Sequence, residues 1–409
     1  MQTSLLSRYL DTPRGQEADA ILRSCVHCGF CTATCPTYQL QGDELDGPRG
    51  RIYLIKQMLE GQAVTARTQQ HLDRCLTCRA CETTCPSGVR YARLLEIGRD
   101  EVERQVARPP LQRLLRWGLR QVLPYPRRFG PLLGLARVVR PLLPSHLKQK
   151  VPAAVVIPVR PESGHRRKVL LLEGCAQSVA TPATNGATAR VLDRLGISVV
   201  SPPGQGCCGA VSQHLAAERE AAAFMRRNID AWWPHIETGA EAILVTASGC
   251  GSQVKEYGHL LRHDPDYAEK AQRVSALARD LVELLEAEPL ESLELKVDAR
   301  PLAYQSPCSL QHGQQLAGRV ELVLTRLGFQ LTPVRDSHLC CGSAGTYSLL
   351  QPALSKQLQA NKLQALQAGK PVLIATANVG CQLHLASATD LPVKHWVELL
   401  AEAMESRES

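Results

Sequence analysis

Cys25-Val-His-Cys28-Gly-Phe-Cys31-Thr-Ala-Thr-Cys35-Pro36 is the stretch that decides how the first hundred residues fold. Three cysteines spaced two residues apart, a fourth after three more and a proline behind it form a run that binds an iron–sulfur cube. The first three wrap the chain around three corners of the cube and turn backbone amides toward its sulfides. The fourth faces away. Cys75-x2-Cys78-x2-Cys81-x3-Cys85-Pro86 repeats the run further along. The expected ligation therefore crosses over, with Cys25, Cys28, Cys31 and Cys85 on one [4Fe–4S] cluster and Cys35, Cys75, Cys78 and Cys81 on the second. Zinc sites usually join two separated CxxC units, and thiol redox motifs use two cysteines rather than four.

Outward from these runs, Ile52, Leu54, Ile55, Met58 and Leu59, and then Leu94, Leu95 and Ile97, recur at helical spacing. No alternating strand pattern separates the two cysteine groups. Residues 1–103 are accordingly expected to form a mostly helical, two-cluster ferredoxin-type domain. His27 and His71 lie nearby and receive no role, since a lone histidine is more often an ordinary surface or core residue.

The other eight cysteines form an internal repeat. Cys175, Cys207, Cys208 and Cys250 return as Cys308, Cys340, Cys341 and Cys381, at offsets of 133, 133, 133 and 131 residues. The order of apolar patterns returns as well. A short run at 169–172 or 301–304 leads to the first cysteine, followed by a helical stretch at 187–195 or 314–327. A second strand is expected at 197–200 or 329–334, and the Cys-Cys-Gly turn is expected to open a longer helix. A buried-strand run at 242–246 or 372–376 leads to the last cysteine. Strands alternating with helices argue for parallel α/β units. The expected fold class is thus mixed: the helical cluster domain (1–103), a connector (104–165), and two pseudo-symmetric α/β Cys-Cys-Gly lobes (166–295 and 296–409). Glycine after the paired cysteines lets the backbone take positive φ or approach closely. Whether these eight residues hold a further cluster, do thiol chemistry or are merely buried stays open on this reading.

Composition narrows the function. Sixteen cysteines in 409 residues, with no apolar leader among the first twenty, point to metal in a reducing cytoplasm rather than to a disulfide scaffold. No run of 18 apolar residues is present to span a membrane. Aromatic residues are only 4%, which argues against a nucleic-acid reader built on stacking. No G-x-G-x-x-G fingerprint appears, so a flavin or nucleotide would sit on a partner.

The net charge of +8 is local. Residues 104–150 hold eleven Lys and Arg and no Asp or Glu, so the rest of the chain is slightly acidic. Within them Leu111, Leu114, Leu115, Leu119 and Val122 interleave with Arg113, Arg116 and Arg120, beside Trp117 and Tyr125, and Pro124 and Pro126 break the pattern. A basic amphipathic helix with an aromatic anchor suits an anionic membrane surface, and equally a face packed on a partner. Such a charged run also suits phosphate, but no nucleic-acid reader motif accompanies it.

Two ferredoxin motifs followed by two Cys-Cys-Gly domains resemble the glycolate oxidase iron–sulfur subunit family. Heterodisulfide-reductase-like proteins, the iron–sulfur subunit of anaerobic glycerol-3-phosphate dehydrogenase and lactate-utilisation proteins share the arrangement. The closer likeness to the glycolate family rests on residues 23–38 and on Gly42-Asp-Glu-Leu-Asp-Gly-Pro-Arg-Gly-Arg-Ile52. The resemblance implies an oxidoreductase subunit with no catalytic residue of its own. FAD-containing partners would oxidise glycolate to glyoxylate, D-lactate being a further candidate. The chain would pass electrons toward a membrane quinone, from the cytoplasmic side and peripheral to the inner face of the membrane. A D-lactate or glycerol-3-phosphate dehydrogenase subunit and a thiol–disulfide enzyme are the alternatives. The terminal cysteine of the heterodisulfide reductase CxxC is here Gln253 in one repeat and His384 in the other, which puts a five-cysteine cluster in doubt.

Overall fold

The computed structural model describes residues 1–144, 148–149, 151–155, 157–162 and 164–405; parts of the connector, Lys150 among them, and the last four residues of the second lobe lie outside these. The cluster domain is helical, as its spacing predicts. Its main helices are Pro13–Ser24, Pro48–Leu59, Ala66–Asp73 and Tyr91–Gln105. Two of them open on proline, whose fixed φ suits a first turn and whose missing N–H costs nothing there. Thr12 and Thr65 accept backbone N–H groups as N-caps of the first and third. Ile21, Leu22, Ile52, Ile55, Met58, Leu72, Leu94, Leu95 and Ile97 meet in one core. The second and fourth helices nearly touch at Gly98, where a Cβ would lie 2.6 Å from Ile55 Cγ1.

Two parallel sheets follow. The first has strands β1 (Arg167–Leu171), β2 (Ile197–Val200), β3 (Ala242–Val245) and β4 (Ala278–Asp280) in the order β2-β1-β3-β4. The second has β5 (Leu302–Gln305), β6 (Leu373–Thr376) and β7 (Val393–His395) in the order β5-β6-β7. Four details depart from the sequence reading. The strand expected at 329–334 is a single parallel bridge, Leu302 to Leu331, and Pro333 lacks the N–H to carry the ladder on. β4 and β7 escape the pattern because each is three residues long and runs straight into a helix. The helix expected at 314–327 is shorter, Arg319–Arg326, after a π-turn over Ser309–Gly313 and the left-handed Gly318. The Cys-Cys-Gly turns open short helices, Ala210–His214 and Tyr347–Leu350, before the long ones, Glu218–Glu237 and Pro352–Gln367. Left-handed Ala216 makes the first break, and Pro352 starts the second long helix afresh.

The two lobes share one core and pack reciprocally. Helix Ala183–Arg194 of the first meets Trp396–Glu405 of the second, and Arg319–Arg326 of the second meets Leu281–Leu285 of the first. Because these are equivalent helix pairs, the interface is that of a pseudo-two-fold. The polar residue before each closing helix differs. Asp280 is buried, accepts from Val282 N at 3.2 Å and accepts from Gln314 Nε2 at 3.2 Å. His395 is buried, lies 3.0 Å from the Thr246 carbonyl through Nε2, and accepts from Val397 N at 3.3 Å through Nδ1. Burial holds His395 neutral, lowering its pKa to about 4.

The connector helices Pro110–Val122 and Pro126–Val139 lie on the body with part of their basic face turned toward it. Arg116 turns inward to Asp73 at 3.0 Å and Arg120 to Glu220 at 3.2 Å, while Tyr125 packs on Phe224. Leu111, Leu114, Leu115, Trp117, Leu132, Leu135 and Val138 point to solvent instead. The outward face is thus apolar, with Arg113, Arg127 and Arg128 exposed around it.

Burial pushes the Asp280 carboxyl up to about 7 from an ordinary 3.8. A folded-state pKa above the unfolded one means the associated stability is full below about 3.8 and is lost as pH rises through about 7. Asp280→Asn keeps a cap acceptor without a charge to bury. Its thermal midpoint should gain on the parent between pH 5 and pH 9, by roughly 2–4 °C per kcal/mol. A difference that stays constant with pH would contradict this.

Candidate metal centres

The two ferredoxin-type loops are built alike. In the first, His27 and Gly29 take left-handed φ of 58° and 85°; in the second, Thr77 and Arg79 take 54° and 62°. Alternating left-handed residues coil the backbone so that successive amides face one point, the concave arrangement that receives anionic sulfur. Thr77 N already lies 3.4 Å from Cys75 Sγ. A β-branched residue at positive φ is strained, and Arg99 holds this one in place. Its guanidinium donates to Thr77 Oγ1 at 3.1 Å, to Cys75 O at 2.7 Å and to Leu72 O at 2.9 Å.

One cavity is lined by Cys25, Cys28, Cys31, Cys81 and Cys85, so the fourth cysteine of the second run lies with three of the first, and Cys81 lies with them too. Burial, then Cys25, pushes the Cys31 thiol up to about 11. Burial, then Cys78, Cys75, Glu82 and Cys35, pushes the Cys81 thiol well above its ordinary range, and Cys35 also acts on Cys31. Cys28 is exposed, alone among the sixteen cysteines.

A buried charge network lies beneath Cys35. Asp46 and Arg51 are both fully buried. The Asp46 carboxylate meets His71 Nδ1 at 2.9 Å, Arg74 Nη1 at 2.7 Å and Arg51 Nη2 at 3.5 Å. Thr37 Oγ1 donates to Asp46 O and lies 3.3 Å from Cys35 Sγ. Burial opposes the Arg51 charge, but the Cys75, Tyr91, Cys35 and Asp46 groups outweigh it and raise the guanidinium pKa. One carboxylate facing two guanidiniums leaves a positive surplus beside Cys35 and Cys75. Asp43, Asp46 and His71 also lie close enough together to suggest a cation, but the arginines already claim Asp46.

In each lobe the thiols collect at the carboxyl ends of the parallel strands. Cys175 follows β1 and Cys250 follows β3; Cys308 follows β5 and Cys381 follows β6. β1 and β3 are neighbours although β2 comes between them in the chain, and ligands of open α/β sheets gather at such a switch point. Cys175 Sγ lies 3.5 Å from Cys207 Sγ, Cys308 Sγ 3.8 Å from Cys340 Sγ, and Cys341 Sγ 3.3 Å from Cys381 Sγ. Glycine is required at both turns. Gly209 and Gly342 have φ of 92° and 88°, and a Cβ would meet the carbonyl oxygen of Ala221 at 3.0 Å or of Ser355 at 2.5 Å.

The cluster domain is docked so that Cys78, Cys308 and Cys340 share one apolar cluster with Leu76, Tyr347 and Leu358. Burial, then Cys308 and Cys75, pushes the Cys78 thiol well above its ordinary range. His384 does not stand free as a ligand, its Nε2 lying 3.2 Å from Ser355 Oγ. Gln253 is buried in the first lobe with its Nε2 unpartnered. Sequence reasoning passed over Asp46, Arg51, Arg99 and Lys362. The available signal was a charged residue inside an apolar helical stripe, Arg51 beside Ile52 and Ile55, and Lys362 between Leu358 and Leu366.

The donor sets fit iron–sulfur clusters: the gathered donors are thiols, positive charge is buried beside them, and left-handed loops aim amides at them. Fold and site together define an iron–sulfur protein that joins a dicluster domain to a duplicated cysteine-rich domain. The 4Fe-4S dicluster domain family matches residues 21–89, and the Cysteine-rich domain family matches 169–255 and 302–386. The glycolate oxidase iron–sulfur subunit of Escherichia coli K12 is 62% identical over 99% of this chain and the whole of that protein. The probable glycolate oxidase iron–sulfur subunit of Bacillus subtilis is 29% identical over 93% of this chain and 94% of its own. Lactate utilization protein A of Geobacillus thermodenitrificans is 27% identical, over 53% of this chain and 90% of its own. A crystal structure of a hypothetical protein from Helicobacter pylori shares the fold, with a TM-score of 0.54 at 9% identity, covering 96% of this chain and 72% of that one. The chain belongs to the glycolate oxidase iron–sulfur subunit family.

Arg99→Ala removes the clamp on the strained 75–79 loop. The purified protein should then lose iron in air several-fold faster than the parent, followed as iron per chain and as decay of the visible absorbance. Equal rates would show that the loop holds itself.

Proposed function

We propose that this chain is the iron–sulfur subunit of a flavoprotein complex that oxidises glycolate to glyoxylate, and that it conducts the electrons away from the flavin. The observation that supports this reading most is a 62% identity along its length to a glycolate oxidase subunit, in a chain whose Cys85 lines one cavity with the thiols of the first run. Cys25, Cys28, Cys31 and Cys85 would hold one [4Fe–4S] cluster, and Cys35, Cys75, Cys78 and Cys81 the other. When bound, such clusters take up and release one electron at a time without moving substrate atoms. The protein's own residues set the conditions. The positive surplus at Arg51 and Arg74 favours the more negative, reduced state at the Cys35 end. The core around Leu76 and Tyr347 keeps water from that end, whereas Cys28 opens the first quartet to a partner. FAD and the substrate site belong to partner subunits on this reading, with D-lactate, suggested by the lactate-utilisation relatives, as a second substrate.

The same reading places the complex on the cytoplasmic face of the membrane, next to a quinone acceptor. No helix among the described residues is long and apolar enough to cross a membrane. The outward face of the connector supports attachment: Leu114, Trp117, Leu132, Leu135 and Val138 are exposed, and residues 104–161 contain no acidic side chain. Apolar side chains ringed by arginine suit an anionic interface.

The complex, purified anaerobically, should show a reduced [4Fe–4S] EPR signal on addition of glycolate. Silence with glycolate and a signal with D-lactate or glycerol 3-phosphate would discard the substrate. For the membrane surface, Leu114→Glu with Leu135→Glu should abolish co-sedimentation with vesicles containing anionic lipid, with cluster spectra unchanged. Undiminished co-sedimentation would place attachment elsewhere.

A further inference from the structure

The two cysteines that close the ferredoxin-type runs, Cys35 and Cys85, differ in what stands behind their sulfurs. Cys35-Pro36-Thr37 opens the helix Pro36–Gln41, and Cys85-Pro86-Ser87 takes the same place in the second run. Thr37 is buried, and its Oγ1 lies 3.3 Å from Cys35 Sγ. Ser87 is half-buried, and the donor at Cys85 Sγ is the backbone N–H of Val89 at 3.5 Å.

Thr37 Oγ1 stands at a junction of three groups. Arg51 Nη1 donates to it at 3.1 Å, and within reach of its one proton are Asp46 O at 2.8 Å and Cys35 Sγ. Arg51 is itself held in place: Nε donates to His71 O at 2.7 Å, Nη2 donates to Asp46 Oδ1 at 3.5 Å, and the whole side chain is buried. A guanidinium has no acceptor, so the hydroxyl must point its proton at Asp46 O or at the sulfur. As a free thiol Cys35 is a donor too, 3.8 Å from Asp46 O, and the hydroxyl then bonds to the carbonyl. Binding to iron takes the thiol proton away and turns Sγ into an anionic acceptor. A hydrogen bond to an ionised acceptor is roughly twice as strong as one between neutral groups. The hydroxyl proton is therefore drawn from the carbonyl to the sulfur.

We propose that the Thr37 hydroxyl, with Arg51 as its positioning residue, donates to Cys35 Sγ and raises the reduction potential of the cluster on Cys35, Cys75, Cys78 and Cys81. The Thr37 O–H bond is kept throughout: the hydroxyl rotates about Cβ–Oγ1, and no proton leaves the residue. One added electron makes the sulfurs more negative and tightens the hydrogen bond, so the reduced state gains more than the oxidised one. Cys85 is served by a backbone amide instead, so the hydroxyl acts on one cluster of the two. The proposal deepens the electron-carrier reading and rests on its crossed ligand sets.

The test uses the anaerobically purified complex, with iron counted per chain and EPR recorded at potentials poised by chemical mediators, which keeps it independent of the substrate. Thr37→Val removes the hydroxyl at nearly constant shape. It should move one of the two [4Fe–4S] midpoint potentials to more negative values, by about 59 mV for a tenfold loss of the reduced state's advantage, and leave the other in place. Thr37→Ala carries the same expectation and serves where valine costs the fold. Thr37→Ser keeps the hydroxyl and should hold both potentials at the parent's values. Two unmoved potentials in Thr37→Val and Thr37→Ala, an equal move of both, or a move in Thr37→Ser as large as in Thr37→Val would overturn the proposal. Iron for only one cluster in the parent would strike the crossed ligand sets, and the proposal with them.

Discussion

Thiols that give up their protons to metal become buried anions, and the structure is arranged around answering that charge. Beside Cys35 and Cys75 the answer is Arg51, backed by Arg74 and only partly offset by Asp46. Around both ferredoxin-type loops it is the backbone, coiled by left-handed residues at positions 27, 29, 77 and 79. The same requirement explains why a guanidinium interrupts an otherwise apolar helix face at Arg51. An isolated charge there would cost several kcal/mol, and next to an anionic cluster it stabilises.

Docking of the cluster domain brings thiols of the two parts of the chain together. Cys78 reaches the core containing Cys308 and Cys340, and Tyr347 OH donates to Arg74 O across the junction. Ion pairs add to the contact: Arg79 with Glu256, Arg14 with Glu218, and Glu17, held within its own domain by Arg93, with His259 and Arg262. Although burial would raise it, the Glu17 carboxyl is held at about 2 by His259, Arg93 and Arg262. The pseudo-two-fold of the lobes is kept in the packing and broken in the chemistry. Asp280 is answered by His395 at the closing helices, and Asn228 by Lys362 at the thiols. Duplication supplied two similar thiol pockets whose passing helices carry different buried polar residues.

Much of this was legible in the sequence, because cysteine spacing is a covalent-scale constraint. The crossed partnership of Cys85 with Cys25, Cys28 and Cys31 follows from the ferredoxin run, and the 133-residue offset reveals the paired lobes. Short elements were not legible. β4 and β7 are three residues each, and their periodicity is absorbed by the helices they enter. The stretch at 329–334 reads as a strand until Pro333 stops its ladder. The connector's orientation was not legible for a different reason: amphipathicity fixes that two faces differ but not which one meets the body. Asp73 and Glu220, distant in sequence, draw Arg116 and Arg120 inward.

The most direct measurement is anomalous scattering from crystals of the anaerobic complex, with data collected on either side of the iron edge. The account expects iron at two places in the ferredoxin-type domain: among Cys25, Cys28, Cys31 and Cys85, and among Cys35, Cys75, Cys78 and Cys81. A single iron site there, or one held by the four cysteines of one run alone, would contradict it.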